Sequence, residues 1–453
     1  MLVATNPYTE EKIAEYPSLK GEQIHEHIAR AQKAFISWKD TSFSQRADVL
    51  KNVAAQLRKQ KDELAKLMAD EMGKPIKEGG PEVEKAAWCA EHYAEHAEKY
   101  LHEEHLASDA SESYVSYEPL GVLLGILPWN APLWLAFRYL APSLMAGNTC
   151  ALKHDPNVPG CAEAIARAFK AAGAPDDIMV NLPLETPDVE TAIRDENIMA
   201  VSFTGSAPAG AKVASMAASE IKHSVLELGG SDPLIVMPDA DLETAMDVAT
   251  LSRIINAGQS CIAAKRILVH QSVYDTFVEG VKTRLEKLNM GDPNDLSTDI
   301  GPIARKDLQQ NLDRQVKASI KAGAKCLVGG EIIHDKGYFY PPTLLTDVTP
   351  DMCAFTEETF GPVMVVSKVE SMDQAIDMAN DSEYGLGAGV WTADINLAKQ
   401  AAKKLNTGQV AINGIVKTDP RLPSGGIKRS GFGRELGPHG IKEFVNAKQI
   451  WIK

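Results

Sequence analysis

Cysteine is scarce in this chain: six in 453 residues, at Cys89, Cys150, Cys161, Cys261, Cys326 and Cys353, with no C-x-x-C pair and no nearby histidine ligand. That spacing argues against a disulfide scaffold and against structural zinc, so no metal is expected. A reducing cytoplasm is the natural setting. Long apolar stretches are missing too, since no run reaches the ~18 residues that a spanning helix needs. The opening residues Met1-Leu2-Val3-Ala4-Thr5-Asn6-Pro7 have no charged segment followed by an apolar one, so a secretory signal is not expected. Basic residues are outnumbered, 47 against 61 acidic ones, for a net charge of −14. A nucleic-acid partner, which needs a basic footprint, is therefore disfavoured. An anionic cofactor or substrate has to be drawn in by local cations and helix N-termini, against the field of the whole molecule. Internal repeats and low-complexity tracts are also absent.

What is present has the composition of an ordinary globular enzyme, with 44% hydrophobic and 24% charged residues. At ~150 residues per domain, the length suggests about three domains or subdomains. The first hundred residues read as helical, with Val49, Leu50, Val53, Leu57, Leu64, Leu67 and Met68 recurring at helical spacing among charged residues. Gly73-Lys74-Pro75 should break that pattern, and a third helical stretch runs from about Glu82 to Glu104. Tyr114-Val115-Ser116-Tyr117 reads as an exposed β ribbon. From Gly121 onward, short apolar runs (122–127, 149–152, 178–182, 200–203, 225–228, 234–237) alternate with helical stretches such as 161–172. This alternation predicts a parallel sheet covered on both faces. A second α/β block, from about 229 to 410, holds helical 273–288 and 372–379 and an apolar run at 363–366. The segment 441–452 ends with strand character.

Cys261 lies in the small-residue stretch Asn256-Ala257-Gly258-Gln259-Ser260-Cys261, and Glu227 lies in Leu226-Glu227-Leu228-Gly229-Gly230. A thiol in such a loop and a carboxylate ending an apolar strand suggest covalent acyl chemistry. The thiolate attacks a carbonyl, and the carboxylate later activates water. Pro128-Trp129-Asn130 follows a buried-looking strand; its amide can donate to a developing oxyanion, or the tripeptide is a plain turn. Phe203-Thr204-Gly205-Ser206-Ala207-Pro208-Ala209-Gly210 joins a strand to a helix, either as an ordinary turn or as a pyrophosphate site at a helix N-terminus. Glu358 and Phe360, in Glu357-Glu358-Thr359-Phe360-Gly361-Pro362, can serve ribose and nicotinamide, or be a solvated acid and a core ring. The other five cysteines read as simple core or surface residues.

Taken together and in this order, these motifs resemble the aldehyde dehydrogenase superfamily over nearly the whole chain, from Asn6-Pro7 through Glu71-Met72-Gly73-Lys74-Pro75 to Ser430-Gly431-Phe432-Gly433-Arg434-Glu435. The resemblance implies two Rossmann-like α/β domains with parallel sheets and a small β oligomerisation element. The dinucleotide-binding domain is expected at 1–105 and 121–228, the catalytic domain at 229–427, and the oligomerisation element at 106–120 and 428–453. A homodimer or homotetramer follows, with the ribbon extending a partner's sheet. The resemblance also implies Cys261 as nucleophile, Glu227 as general base, and Asn130 with the Cys261 amide as oxyanion hole. Lys153 would meet the adenosine ribose, Ser206 with Gly205 the pyrophosphate, and Glu358 with Phe360 the nicotinamide ribose and ring. Trp129, Pro156 and Leu228 would border the same cofactor. The alkoxide formed on the thiol cannot expel hydride into water, so a stacked nicotinamide ring takes it, and Glu227 then drives thioester hydrolysis.

Short members of the superfamily acting on succinate semialdehyde look most similar, through Gly258-Gln259-Ser260-Cys261-Ile262-Ala263-Ala264-Lys265-Arg266. They resemble this chain in placing an arginine at Arg138, expected on the mouth side of the substrate channel, where it would pair with the distal carboxylate. The other reading of Arg138 is a surface residue on a helix. Thr418 and Arg421 are further candidates for the carboxylate. Ala131 and Ser424 replace phenylalanines common in relatives and should widen or polarise the tunnel. Ala263 stands where some relatives carry a second cysteine, which excludes a disulfide switch in that loop. Pro156 stands where strictly NAD-dependent relatives carry a glutamate, so a 2′-phosphate is not repelled, although Asp155 works against it; NAD and NADP are both expected to be accepted. Two other readings stay open: a dehydrogenase for another carboxylated or polar aldehyde, such as glutarate semialdehyde or an amino-aldehyde, and a catalytically retired nucleotide-binding scaffold.

Overall fold

The run Val122–Leu127, apolar at nearly every position, is the kind of strand that must be covered on both faces, and it sits buried at the centre of a parallel sheet. The computed structural model describes residues 1–333 and 336–453. Among them the first large sheet runs in the order Gly431–Phe432, His223–Glu227, Ile198–Thr204, Val122–Leu127, Thr149–His154, Met179–Asn181. All its pairings are parallel except the first, where Gly431–Phe432 lies antiparallel to His223–Glu227. The second sheet has the order Lys325–Val328, Thr343–Thr346, Val363–Val369, Ala264–His270, Asp232–Val236, Gly387–Trp391, Gln409–Ile412. It is parallel apart from its first pair. Open α/β sheets bind ligands at the carboxyl ends of their strands. In the first sheet those ends carry Asn130, Lys153, Ser206 and Glu227.

A third, antiparallel sheet joins Val445–Ile452, Glu112–Pro119 and Glu104–His105. It contains the expected ribbon but begins earlier, at Glu104. The tail divides its service differently from expectation: Gly431–Phe432 completes the first sheet, and only Val445–Ile452 joins the ribbon.

The helical reading of the first hundred residues holds from Glu22 onward. Ser42 caps Phe43–Lys59 with a reciprocal Ser-Gln capping box, a strong start signal. Gly73, at φ 79°, ends Lys61–Met72 as the Gly-Lys-Pro break requires. The next helix starts before Glu82, at Ile76, and holds Pro81 near its beginning. Before Glu22 the helical reading fails, because Leu2–Thr5 and Lys12–Tyr16 form a hairpin. The Asn6 side chain accepts the amides of Tyr8 and Thr9 and turns the chain locally, which a helical pattern search passes over. The helix Ile76–Tyr100 packs between Phe43–Lys59 and Pro132–Met145 around buried Leu57, Tyr93 and Phe137. Pro132–Met145, buried at every position, thereby delivers Arg138 to the interior. No helix among the described residues is long and apolar enough to cross a membrane, and no acid, histidine and cysteine cluster among them has a metal-binding arrangement.

Candidate active site

The nucleophile loop is held by its own backbone. Asn256 and Ala257 both take left-handed conformations, at φ 55° and 53°, which non-glycine residues adopt at a cost of ~1–3 kcal/mol each. Surrounding contacts fix that geometry. The Asn256 side chain donates to the carbonyls of Asn130 (2.8 Å) and Gln259 (3.2 Å), and the Asn256 backbone N–H donates to Glu78 at 2.8 Å. The Asn130 amide donates to the Gln259 carbonyl at 3.0 Å. Asn130 is thus locked at the strand end beside the loop, and it lines the same cavity as Cys261.

Lys265, fully buried at the start of Ala264–His270, escaped the sequence reading. Its ammonium donates to the carbonyls of Ser260 (2.9 Å), Cys261 (2.7 Å) and Ala263 (3.3 Å), and Glu358 lies 3.5 Å away. Burial pushes the Cys261 thiol up to about 11, while the charges of Lys265 and Arg138 pull it back down. The available signal was the pair of adjacent cations, Lys265 and Arg266, leading into the apolar run Ile267-Leu268-Val269.

Arg138 is where expectation and structure part. It borders the cavity, but its guanidinium lies between two buried carboxylates rather than waiting at the mouth. Glu227 accepts from it at 3.1 Å and Glu435 lies at 2.5 Å. The surface reading does not survive, and the expected place at the channel mouth gives way to a buried one on the cavity wall, where two carboxylates compensate the cation. Burial works against the charge of Arg138, and Glu435 and Glu227 override it to hold the guanidinium protonated. Burial likewise raises Glu227, countered by Arg138 and reinforced by Glu435, to about 7. One Glu227 oxygen, Oε1, has no hydrogen-bond partner among the described residues. A Cβ at Gly425, where φ is +150°, would fall 2.7 Å from that oxygen, so glycine there keeps the carboxylate's approach open.

Exchanging Arg138 for methionine leaves Glu227 and Glu435 buried without their cation. The expected loss is about 3–5 kcal/mol of stability, read as a lower urea midpoint, and the acid limb of kcat moves to higher pH as Glu227 rises further.

A cavity of about 510 Å³ brings together Cys261, Glu227, Asn130, Ala131, Thr418 and Ser424. Arg421 is not brought in: its guanidinium pairs with Asp419 at 2.6 Å and covers Trp88 at 5.3 Å, on an exposed side chain. Asp419 is two residues away and captures it locally. Ser424 exchanges backbone hydrogen bonds with Glu435 at 2.7 and 2.8 Å, tying the tunnel wall to the Arg138 cluster.

On the cofactor side, Ser206 opens the helix Ala207–Ser219 without using its hydroxyl to cap it, so hydroxyl and helix amides are available to an anion. Gly205 and Leu228 border that turn, the Gly205 amide donating to the Glu227 carbonyl at 3.0 Å and Leu228 packing on Gly210. Lys153 ends its strand buried, with burial lowering its pKa against the pull of Asp155. Pro156 follows in the same loop. Trp129 and Phe360 meet edge to face at 5.9 Å. Glu358 accepts the Gly230 amide at 3.1 Å, and a Cβ on Gly229 would collide with its other oxygen. A buried lysine, a helix N-terminus with an unused hydroxyl, and an acid near aromatic rings are groups that could hold the adenosine, pyrophosphate and nicotinamide-ribose parts of a dinucleotide.

Two largely parallel α/β sheets and a cavity that holds a thiol, a carboxylate and an amide together define the site. Residues 2–450 match the model of the aldehyde dehydrogenase family, and the chain belongs to that family. It is an NAD(P)-dependent aldehyde dehydrogenase. A probable succinate-semialdehyde dehydrogenase [NADP(+)] of Synechocystis is 46% identical over 453 residues, covering 100% of both chains. A succinate-semialdehyde dehydrogenase [NADP(+)] of Mycobacterium bovis is 44% identical over 456 residues, again covering 100% of each. Among solved structures, succinic semialdehyde dehydrogenase from Streptococcus pyogenes in complex with NADP+ superposes with TM-score 0.97 at 34% identity, covering 100% of both chains. Lactaldehyde dehydrogenase from Escherichia coli also reaches TM-score 0.97, at 33% identity and covering 99% and 95%. The backbone therefore leaves the aldehyde open, and the lining of the cavity has to decide it.

Proposed function

We propose that this enzyme oxidises succinate semialdehyde to succinate in the cytoplasm, with NADP+ as the better cofactor. The observation that carries the reading is a cavity that holds Cys261, Glu227 and Asn130 together with several cations and the hydroxyls of Thr418 and Ser424. Such a lining suits an aldehyde with an acidic tail and excludes little else in shape. The full-length relatives named for this substrate support the same choice. The ribbon edge strand Val445–Ile452 gives a natural pairing edge for a second copy, so a homodimer, or a tetramer built from two, is the assembly we infer.

The Cys261 thiolate adds to the aldehyde carbon, and the resulting alkoxide is stabilised by the Asn130 amide and the Cys261 backbone N–H. A nicotinamide dinucleotide, when bound, would supply the hydride acceptor needed for the adduct to become a thioester. Glu227 then takes a proton from water through its free Oε1, and the water attacks the thioester carbonyl, releasing the acid and restoring the thiol. Lys265 keeps the loop carbonyls pinned so that the sulfur does not swing away from Asn130. Lys153, Ser206, Glu358 and Phe360 would hold the dinucleotide.

The cofactor preference has its own test. Pro156→Glu places a carboxylate beside Lys153, where it can accept from a ribose 2′-hydroxyl and repel a 2′-phosphate. We expect kcat/KM for NADP+ to fall about tenfold to a hundredfold, the size of a charge-assisted contact, with NAD+ spared or improved. Equal changes for both dinucleotides would remove Pro156 from the argument. The substrate itself is tested by kcat/KM across ω-carboxy aldehydes of graded length, with a maximum expected at the four-carbon member.

A further inference from the structure

We infer that Lys85 is the cation that receives the substrate's distal carboxylate, with the Thr418 hydroxyl as second donor. This rests on the reading of the substrate as an ω-carboxylated aldehyde and says which residue reads the acid. The cavity is bordered by five basic side chains, and four are disqualified by what surrounds them. Arg138 is engaged by Glu227 and Glu435, Lys74 pairs with Glu82, and Lys77 pairs with Asp299. Lys417 is exposed to solvent, where a carboxylate contact is worth little. Lys85 is partly buried and has no carboxylate in ion-pair contact among the described residues.

Its immediate partners leave it poised. The ammonium donates to Thr418 Oγ1 at 3.0 Å and sits 4.2 Å from the centre of the Trp134 ring. Trp134 Nε1 donates to the same hydroxyl oxygen at 3.1 Å. With two donors on its oxygen, Thr418 has its own hydrogen left to give. An ammonium with unused donors therefore stands 3.0 Å from a hydroxyl with an unused donor, on the wall of the cavity that holds Cys261. Two adjacent donors, one charged, match the two oxygens of a carboxylate. The helix Ile76–Tyr100 sets the position, since Glu78, Glu82 and Lys85 share one helical face and all border the cavity.

Burial, and then the charge of Arg138, lower Lys85 to about 8, while Glu82, Cys89 and Asp419 act in the opposite direction. The cation is thus fully formed below that pH and lost above it. An arriving carboxylate supplies the missing counter-charge and raises the pKa again, so affinity for an acidic aldehyde should weaken as pH rises through about 8.

The test compares KM for succinate semialdehyde and for butanal in the parent, Lys85→Met and Lys85→Arg enzymes. In Lys85→Met, KM for succinate semialdehyde is expected to rise about tenfold to a hundredfold, with butanal little changed, and the alkaline rise in KM should vanish. Lys85→Arg keeps the charge and should restore most of the preference, which a residue needed only for folding would not do selectively. A parent that uses butanal as well as succinate semialdehyde overturns the substrate reading and this proposal with it. A parent that prefers the acid, with Lys85→Met losing equally on both aldehydes, overturns the Lys85 assignment alone.

Discussion

Serine at position 261 is expected to lower kcat/KM for every aldehyde by at least about 10³-fold, the scale seen when a covalent nucleophile is removed. Sulfur and oxygen differ little in size here, so the Asn256–Gly258 turn and the Lys265 contacts should persist. What changes is the acidity of the attacking group. Burial already holds the Cys261 thiol at about 11, against the pull of Lys265 and Arg138. A hydroxyl in the same place is far harder to ionise and is a poorer nucleophile. The loss should therefore fall on kcat, with dinucleotide binding preserved. Steady-state rates and a separate cofactor titration by fluorescence distinguish the two. A serine variant with parental turnover would remove the acyl-enzyme from the account.

Glu227→Gln should arrest the cycle one step later. Acylation of Cys261 and reduction of one equivalent of dinucleotide proceed, but no side chain then takes the proton from water. A stopped-flow record should show a burst of reduced dinucleotide, one per active site, followed by a steady rate about 10²–10⁴-fold below the parent. The same residue sets the acid limb in the parent. Glu227 acts only when ionised, and its pKa stands near 7 because burial outweighs Arg138. As pH falls through about 7, kcat should fall with the ionised fraction. In the glutamine variant that limb should flatten, since nothing remains at this position to titrate.

How far the sequence carried these conclusions differs from residue to residue, for physical reasons. Cys261, Glu227 and Asn130 stand out in sequence only when their short contexts, a small-residue loop and two strand ends, are taken together, and the fold brings all three to one cavity. The buried parallel strands were legible for a related reason, since Val122–Leu127 has to be covered on both faces. The fate of Arg138 depends on Glu435, hundreds of residues away in the chain and brought near only when Ser424 and Glu435 pair across the tunnel wall. No local pattern announces that contact, so a cation on a helix looked free to meet substrate. Lys85 was invisible for the mirror-image reason. It is one lysine among many on a charged helix, and only the folded cavity shows that Arg138, Lys74 and Lys77 have carboxylate partners while Lys85, among the described residues, has none in ion-pair contact. Arg421 failed through proximity, because Asp419 in the same loop reaches it before any substrate can.

Turnover depends on one covalent intermediate, and quenching it is the most direct test. Glu227→Gln enzyme mixed with succinate semialdehyde and NADP+, acid-quenched and digested, should yield a single succinyl group on the peptide that contains Cys261. Omission of the dinucleotide should leave that peptide unmodified. Reduced dinucleotide formed in step with product, while the Cys261 peptide stays unmodified throughout, would contradict it.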